Sequence, residues 1–157
     1  MQRIPLTQGQ FALVDDDDFE ELSQFKWYAQ WNPHTQSFYA MRNIRLTNGK
    51  PATERMARRI LGLERGDKRQ ADHLNHQTLD NRRENLRIVT ATQNKRNNRT
   101  KGYSWHKRDK KFHAQIRVNG VRRHLGLYDS PAEARDAYLK AKRVYHPSAP
   151  ALVYMEV

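Results

Sequence analysis

ADHLNHQTLDNRRENLRIVTATQN, residues 71–94, is the stretch that decides the fold. Residues 70–74 read as a short strand and 75–84 as a polar loop. Residues 85–89 read as a second strand, and Thr90 or Thr92 opens a helix that carries Asn94. Asp72-His73, Asn85-Leu86 and Asn94 fall at fixed places in that order. A carboxylate and an amide oxygen, from Asp72 and Asn94, suit a hard cation such as Mg2+ or Mn2+. A neutral imidazole beside them, His73, can take a proton from water near pH 7. Asn85 is placed to orient His73 and to tie the loop together. A lone histidine is usually an ordinary polar residue; the acid before it and the two asparagines after it point to chemistry.

The charge balance points the same way. The chain of 157 residues carries a formal net charge of +12, unevenly placed. Residues 1–94 hold 14 Lys+Arg and 12 Asp+Glu, net +2, whereas residues 95–157 hold 15 and 5, net +10. A near-neutral front and a basic back suggest chemistry in one part and affinity for a polyanion in the other. Cys is absent, which excludes disulfides and every Cys-ligated zinc site. No run approaches the length of a membrane span, and the first residues contain no apolar targeting core, so a soluble intracellular protein is expected.

Upstream of the motif, residues 3–14 read as two short strands about a Gly turn. DDDDFEELSQF, residues 15–25, offers four acids. They read as the capped, dipole-favoured start of a helix, with Asp15 or Asp16 at the cap, rather than as a metal site. Residues 27–31 and 38–40 look like a hairpin across Asn32-Pro33, its aromatics belonging to the core. Residues 53–61 read as a helix with Thr53 as N-cap and Gly62 as stop. Arg58, Arg59, Arg82 and Arg83 are candidate phosphate clamps. Residues 95–101, KRNNRTK, read as a basic linker.

The region 102–146 has another pattern. In KKFHAQIRVNG, residues 110–120, Phe112, Ala114, Ile116 and Val118 alternate with His113, Gln115, Arg117 and Asn119. Asn119-Gly120 is a strong hairpin signal, and residues 121–128 return as a third strand. Ser130, Pro131 and Glu133 form a capping box for a helix over 130–145. One helix on one face of a three-stranded antiparallel sheet leaves the other face open. The open-face candidates for DNA are Trp105, Lys107, Arg108, Lys111, His113, Gln115, Arg117, Arg122 and His124. Of these Gln115, Arg117 and Arg122 suit bases, and Lys107, Arg108 and Lys111 suit phosphates. Arg135, Lys140, Lys142 and Arg143 are expected on the solvated face of the helix.

Residues 71–94 resemble the HNH nuclease motif in its H-N-N variant, found in phage and intron-encoded homing endonucleases. Val14-Asp15 with Asp18, Trp27, Tyr39-Ala40 and the L-D-N-R-R-E-N-L-R run at 79–87 are similar to the same group. Trp105, the F-x-A-x-I run at 112–116, Leu125-Gly126, S-P-A-E-A at 130–134 and Ala137-Tyr138 resemble the APETALA/ethylene-response-factor type of DNA-binding domain.

The resemblance implies an α+β chain. A ββα-metal nuclease domain with N-terminal hairpins would span 1–94. After the linker, a three-stranded sheet packed on one helix would span 102–157, its sheet in the major groove of double-stranded DNA. It implies a phage- or mobile-element-encoded enzyme of the bacterial cytoplasm. That enzyme would be a Mg2+- or Mn2+-dependent, site-directed DNA endonuclease leaving a 5′-phosphate and a 3′-hydroxyl. As a monomer it would nick; a double-strand cut would need a dimer or a second encounter. One position departs: Ala57 stands in Met56-Ala57-Arg58 where those relatives usually read M-H-R. A catalytically inactive, sequence-specific DNA-binding protein is therefore the alternative reading.

Overall fold

The computed structural model describes residues 1–97 and 100–151. It is a mixed α+β chain of small antiparallel sheets and, among the described residues, four α-helices. It divides into two compact units, Met1–Asn94 and Lys95–Val157. No helix among the described residues is long and apolar enough to cross a membrane.

In the first unit, β1 (Gln2–Pro5) and β2 (Phe11–Val14) form a hairpin, and α1 (Asp16–Ser23) follows. Asp15 occupies the N-cap position of α1 but makes no side-chain cap there. Its Oδ2 accepts a hydrogen bond from the Arg83 amide instead, at 2.7 Å. β3 (Tyr28–Asn32), β4 (Ser37–Arg45) and β5 (Pro51–Arg55) form a three-stranded antiparallel sheet in that order. The helix expected over 53–61 is shorter than the sequence suggests. Thr53 pairs with Asn43 and Arg55 with Met41 in the sheet, so α2 begins only at Met56 and runs Met56–Ile60. Its stop is as expected: Gly62 has φ +63 and its N–H reaches the Arg59 carbonyl. Met56, Ala57 and Ile60 turn into a core with Val14, Leu22 and Trp27.

β6 (Gln70–His73) pairs antiparallel with β7 (Leu86–Val89), and α3 (Ala91–Arg96) follows. Asn85 lies in a 3-10 turn, Arg83–Asn85, rather than at the start of the strand. Thr90 is the residue that caps α3. Its Oγ1 accepts from the Gln93 amide at 3.2 Å, and Gln93 Oε1 accepts from the Thr90 amide at 2.9 Å. The long loop between the two strands is laid against β2: the Leu13 N–H donates to the Leu79 carbonyl, and the Asn81 N–H to the Leu13 carbonyl. A polar loop is thereby fixed by main-chain bonds rather than left to its own composition.

In the second unit, β8 (Tyr103–His106), β9 (Lys111–Val118) and β10 (Val121–Tyr128) form a sheet of order β10-β9-β8. Asn119 and Gly120, at φ +49 and +82, make the turn between β9 and β10. α4 (Pro131–Tyr145) starts with the full capping box, Ser130 Oγ accepting from the Glu133 amide. Ile116, Tyr138 and Leu139 are its core with the sheet.

Two expectations for α4 change. Lys142 is buried rather than solvated, and desolvation pushes its ammonium down to about 8. Arg135 donates to the carbonyls of Thr100 and Lys101. Thr100 also bonds the Tyr138 hydroxyl at 2.9 Å, and Asn97 is buried. Thr100 and Lys101 of the expected linker are thus tied to α4; Asn98 and Arg99 lie outside the described residues.

Candidate active site and nucleic-acid interface

Strand alternation separates the two residues of the Asp72-His73 pair. Asp72 shares a face of β6 with Gln70, and His73 shares the other with Ala71. Asp72 stands directly across from Arg87 on β7, and Arg87 Nε and Nη2 both reach Asp72 Oδ2, at 2.9 and 2.8 Å. Asn94 comes to the Gln70 side: its Nδ2 donates to Gln70 Oε1 at 2.8 Å.

His73 is buried, with Nε2 3.2 Å from Asn81 Oδ1 and the Tyr39 ring meeting its edge at 6.3 Å. Burial pushes its pKa below the usual histidine value; the Asn81 bond and the charges of Asp72 and Asp80 push back. A neutral imidazole at pH 7 is the result. Asn85 does only one of its two expected jobs in the bonds it makes. Its Nδ2 donates to the Asp80 carbonyl at 2.7 Å, and its Oδ1 accepts from the Asn75 amide at 2.9 Å, closing the loop. The asparagine that reaches His73 is Asn81, which sequence reasoning assigned to the loop alone.

A cavity of about 240 Å3 opens here, lined among others by Tyr39, Arg55, Ala57, His73, Asn81 and Asn94. Asp72 is not part of its lining. Ala57, the departure noted in the sequence, therefore borders His73's cavity rather than lying in a remote helix.

Of the arginine clamps read from sequence only Arg58 lines this cavity; Arg59, Arg82 and Arg83 do not. Arg58 donates to the carbonyls of Arg69 and Glu64, holding the 64–69 loop. Arg59 pairs with Glu21 and stacks on Phe25. Arg82 pairs with Asp80, holding that carboxyl below its usual range, and Arg83 pairs with Asp18. All four are tied down by acids or carbonyls; those of Arg59 and Arg83 lie far off in the sequence, whereas Asp80 and Glu84 flank Arg82. The acids of residues 15–18 find one use here: Asp15 and Asp18 grip Arg83. Arg55, absent from those candidates, also lines the cavity and stacks on Tyr39.

Asp72 and Asn94 are hard-oxygen donors of the kind that Mg2+ or Mn2+ takes, but Asn94 lines the cavity while Asp72 lies outside it and is held by Arg87. Among the described residues no three His, Asp or Glu side chains are grouped to hold a metal. A set of one carboxylate and one amide would not form such a group.

In the second unit, the register puts His113, Gln115 and Arg117 of β9 on one face with Arg122, His124 and Leu127 of β10 and Ser104 and His106 of β8. Lys111 shares that face and pairs with Asp129; Lys107 and Arg108 are exposed in the preceding turn, Arg108 against Asp109. Trp105 does not belong to this face. It pairs with Phe112, so it lies on the helix side, its ring 4.9 Å from that of Phe112, and is still 51% exposed.

Arg117 and Arg122 stand directly opposite one another. Like charges in that position cost stability in the isolated protein, which is reason to expect a polyanion over them. His113 Nε2 and His124 Nδ1 lie 2.6 Å apart, close enough to share one proton. Desolvation, then the charges of His124, His106 and Arg122, lowers the His113 pKa. A phosphate nearby would raise it, so binding should take up a proton. Duplex affinity should then rise as pH falls from 7.5 to 5.5, by up to about tenfold per pH unit for each proton taken up. His113→Asn with His124→Asn should flatten that dependence; an equally steep curve in the double variant would remove the pair from the interface.

No family model, curated protein or solved structure matches the chain.

Proposed function

We propose that the protein is a metal-dependent, site-directed DNA endonuclease that nicks one strand, leaving a 5′-phosphate and a 3′-hydroxyl. The observation that carries the reading is His73: a buried imidazole held near Asn81 at the wall of a cavity that Asn94 also lines. The hairpin of β6 and β7 followed by α3 is the order of elements expected of a ββα-metal site. His73 takes the proton from the attacking water. Asn81 fixes the ring, and Asn85 holds the loop that carries Asn81. Asp72 and Asn94 would hold Mg2+ or Mn2+, which supplies charge neutralisation at the phosphate and at the departing 3′-oxygen. The open face of β8–β10 supplies affinity and register on the duplex.

A DNA-binding protein without catalysis is the second reading. Ala57 on the cavity wall and the Arg87 guanidinium on Asp72 favour it. Supercoiled plasmid incubated with the protein and Mg2+ or Mn2+ should relax to open circles, and EDTA should stop it. Nicking only by Ala57→His would mean a nuclease disabled at that position. Duplex binding without nicking by either version would establish the second reading.

A further inference from the structure

Two arginines line the cavity of His73, and they differ in what holds them. Arg58 is tied to main-chain carbonyls. Arg55, the last residue of β5, is exposed. Among the described residues its guanidinium makes no ion pair and no hydrogen bond. Its neighbour is the Tyr39 ring, 4.8 Å below the guanidinium carbon. Tyr39 in turn presents itself to the edge of the His73 ring. Gln30 pairs with Tyr39, and Tyr28 and Arg55 both flank Met41, so these side chains share one face of the β3–β5 sheet.

This is an arrangement with a direction. A guanidinium laid on an aromatic ring loses side-chain freedom before any ligand arrives, while its five N–H donors keep their planar fork. That fork matches two oxygens of a phosphate. Arg42 and Arg59 have acid partners and Arg58 has main-chain carbonyls, whereas Arg55 at the cavity has neither among the described residues, so its fork is open to an anion from outside the protein.

We infer that Arg55, carried on Tyr39, is the anchor for a nucleic-acid phosphodiester at this cavity, holding it against His73. The inference rests on reading the cavity as a phosphodiester site, and it adds a residue that neither the motif nor its spacing names.

The test uses the full chain and a 30-base-pair duplex in EDTA, so that it does not depend on cleavage. Removing one phosphate contact should reduce the slope of log affinity against log salt by about 0.9, and affinity near 0.15 M salt by about fivefold. Arg55→Gln should show both changes, and Arg55→Glu a larger loss. Because Arg55 is exposed and holds no other element, both variants should keep the parent's thermal midpoint. The ring resonances of His73 should move when duplex is added to the parent and stay in place for Arg55→Gln. Parent-like affinity, slope and His73 shifts in both variants would overturn the assignment. If the parent proves unable to nick but Arg55→Gln still loses its slope and its His73 response, the nuclease reading fails and the phosphate anchor stands. If the parent nicks and Arg55→Gln matches it throughout, the anchor fails alone.

Discussion

Replacing His73 by alanine should lower the rate of plasmid nicking by about 10^2- to 10^4-fold, the usual worth of a positioned general base, and leave duplex affinity within about twofold. The two readouts separate because the side chains involved are different. His73 is buried, and its one described hydrogen-bond partner is internal, so it adds little to binding. The basic open face lies on β8–β10, in the other unit. Removing a buried ring also leaves a hole, so a loss of activity could be mistaken for a loss of structure. Asn81→Asp is the companion that resolves this. It preserves an oxygen facing His73 Nε2 while adding a charge that favours the imidazolium, so the acid limb of the pH–rate profile should move to higher pH. His73→Ala has no such limb to move. Nicking by His73→Ala at the parent's rate would remove His73 from the chemistry altogether.

What could be read from residues alone followed how local the cause was. The second unit was legible because its signals are local: strict alternation over 111–118, Asn119-Gly120 at the turn, and Ser130 with Glu133 at the cap. Trp105 was open in the sequence between DNA contact and packing on the sheet; the register with Phe112, which no residue of β8 announces, puts it on the packed side. In the first unit the strand–loop–strand–helix order of residues 70–96 was legible. The partners of its charges were not. Arg83 meets Asp18 across 65 residues, and Arg59 meets Glu21 across 38. These contacts exist because the core brings α1, α2 and the loop before β7 together, and a charge in a sequence carries no address. Asn81 and Asn85 exchanged part of their expected work for a similar reason. The loop is pinned to β2 through Leu13, and that pinning decides which amide ends beside His73.

Gly102→Ala should be the most damaging single change in the second unit, costing roughly 3–5 kcal/mol: about 1–3 for a non-glycine residue at positive φ, the rest for overpacking. Gly102 has φ +76, and a Cβ there would lie 2.0 Å from Cγ of Tyr138 and 2.3–2.4 Å from both Cδ atoms. The ring cannot swing aside cheaply. Tyr138 is buried in the core with Ile116 and Leu139, and its hydroxyl bonds Thr100. The glycine backbone cannot retreat cheaply either, because its carbonyl accepts the Gln115 amide at 3.1 Å and Arg135 holds the carbonyls just before it. Gly120→Ala is the internal control. It too sits at positive φ, +82, but nothing lies within 4 Å of the added carbon, so only the backbone part should appear. Urea unfolding followed by hydrogen exchange at the Ile116 and Leu139 amides measures both variants. Duplex affinity should fall with Gly102→Ala, because the open face of Gln115, Arg117 and Arg122 exists only while the opposite face is packed on α4. Equal losses in the two variants would mean that the ring contact carries no energy. A folded Gly102→Ala protein that had lost duplex affinity would mean instead that residues 100–102 touch the DNA themselves.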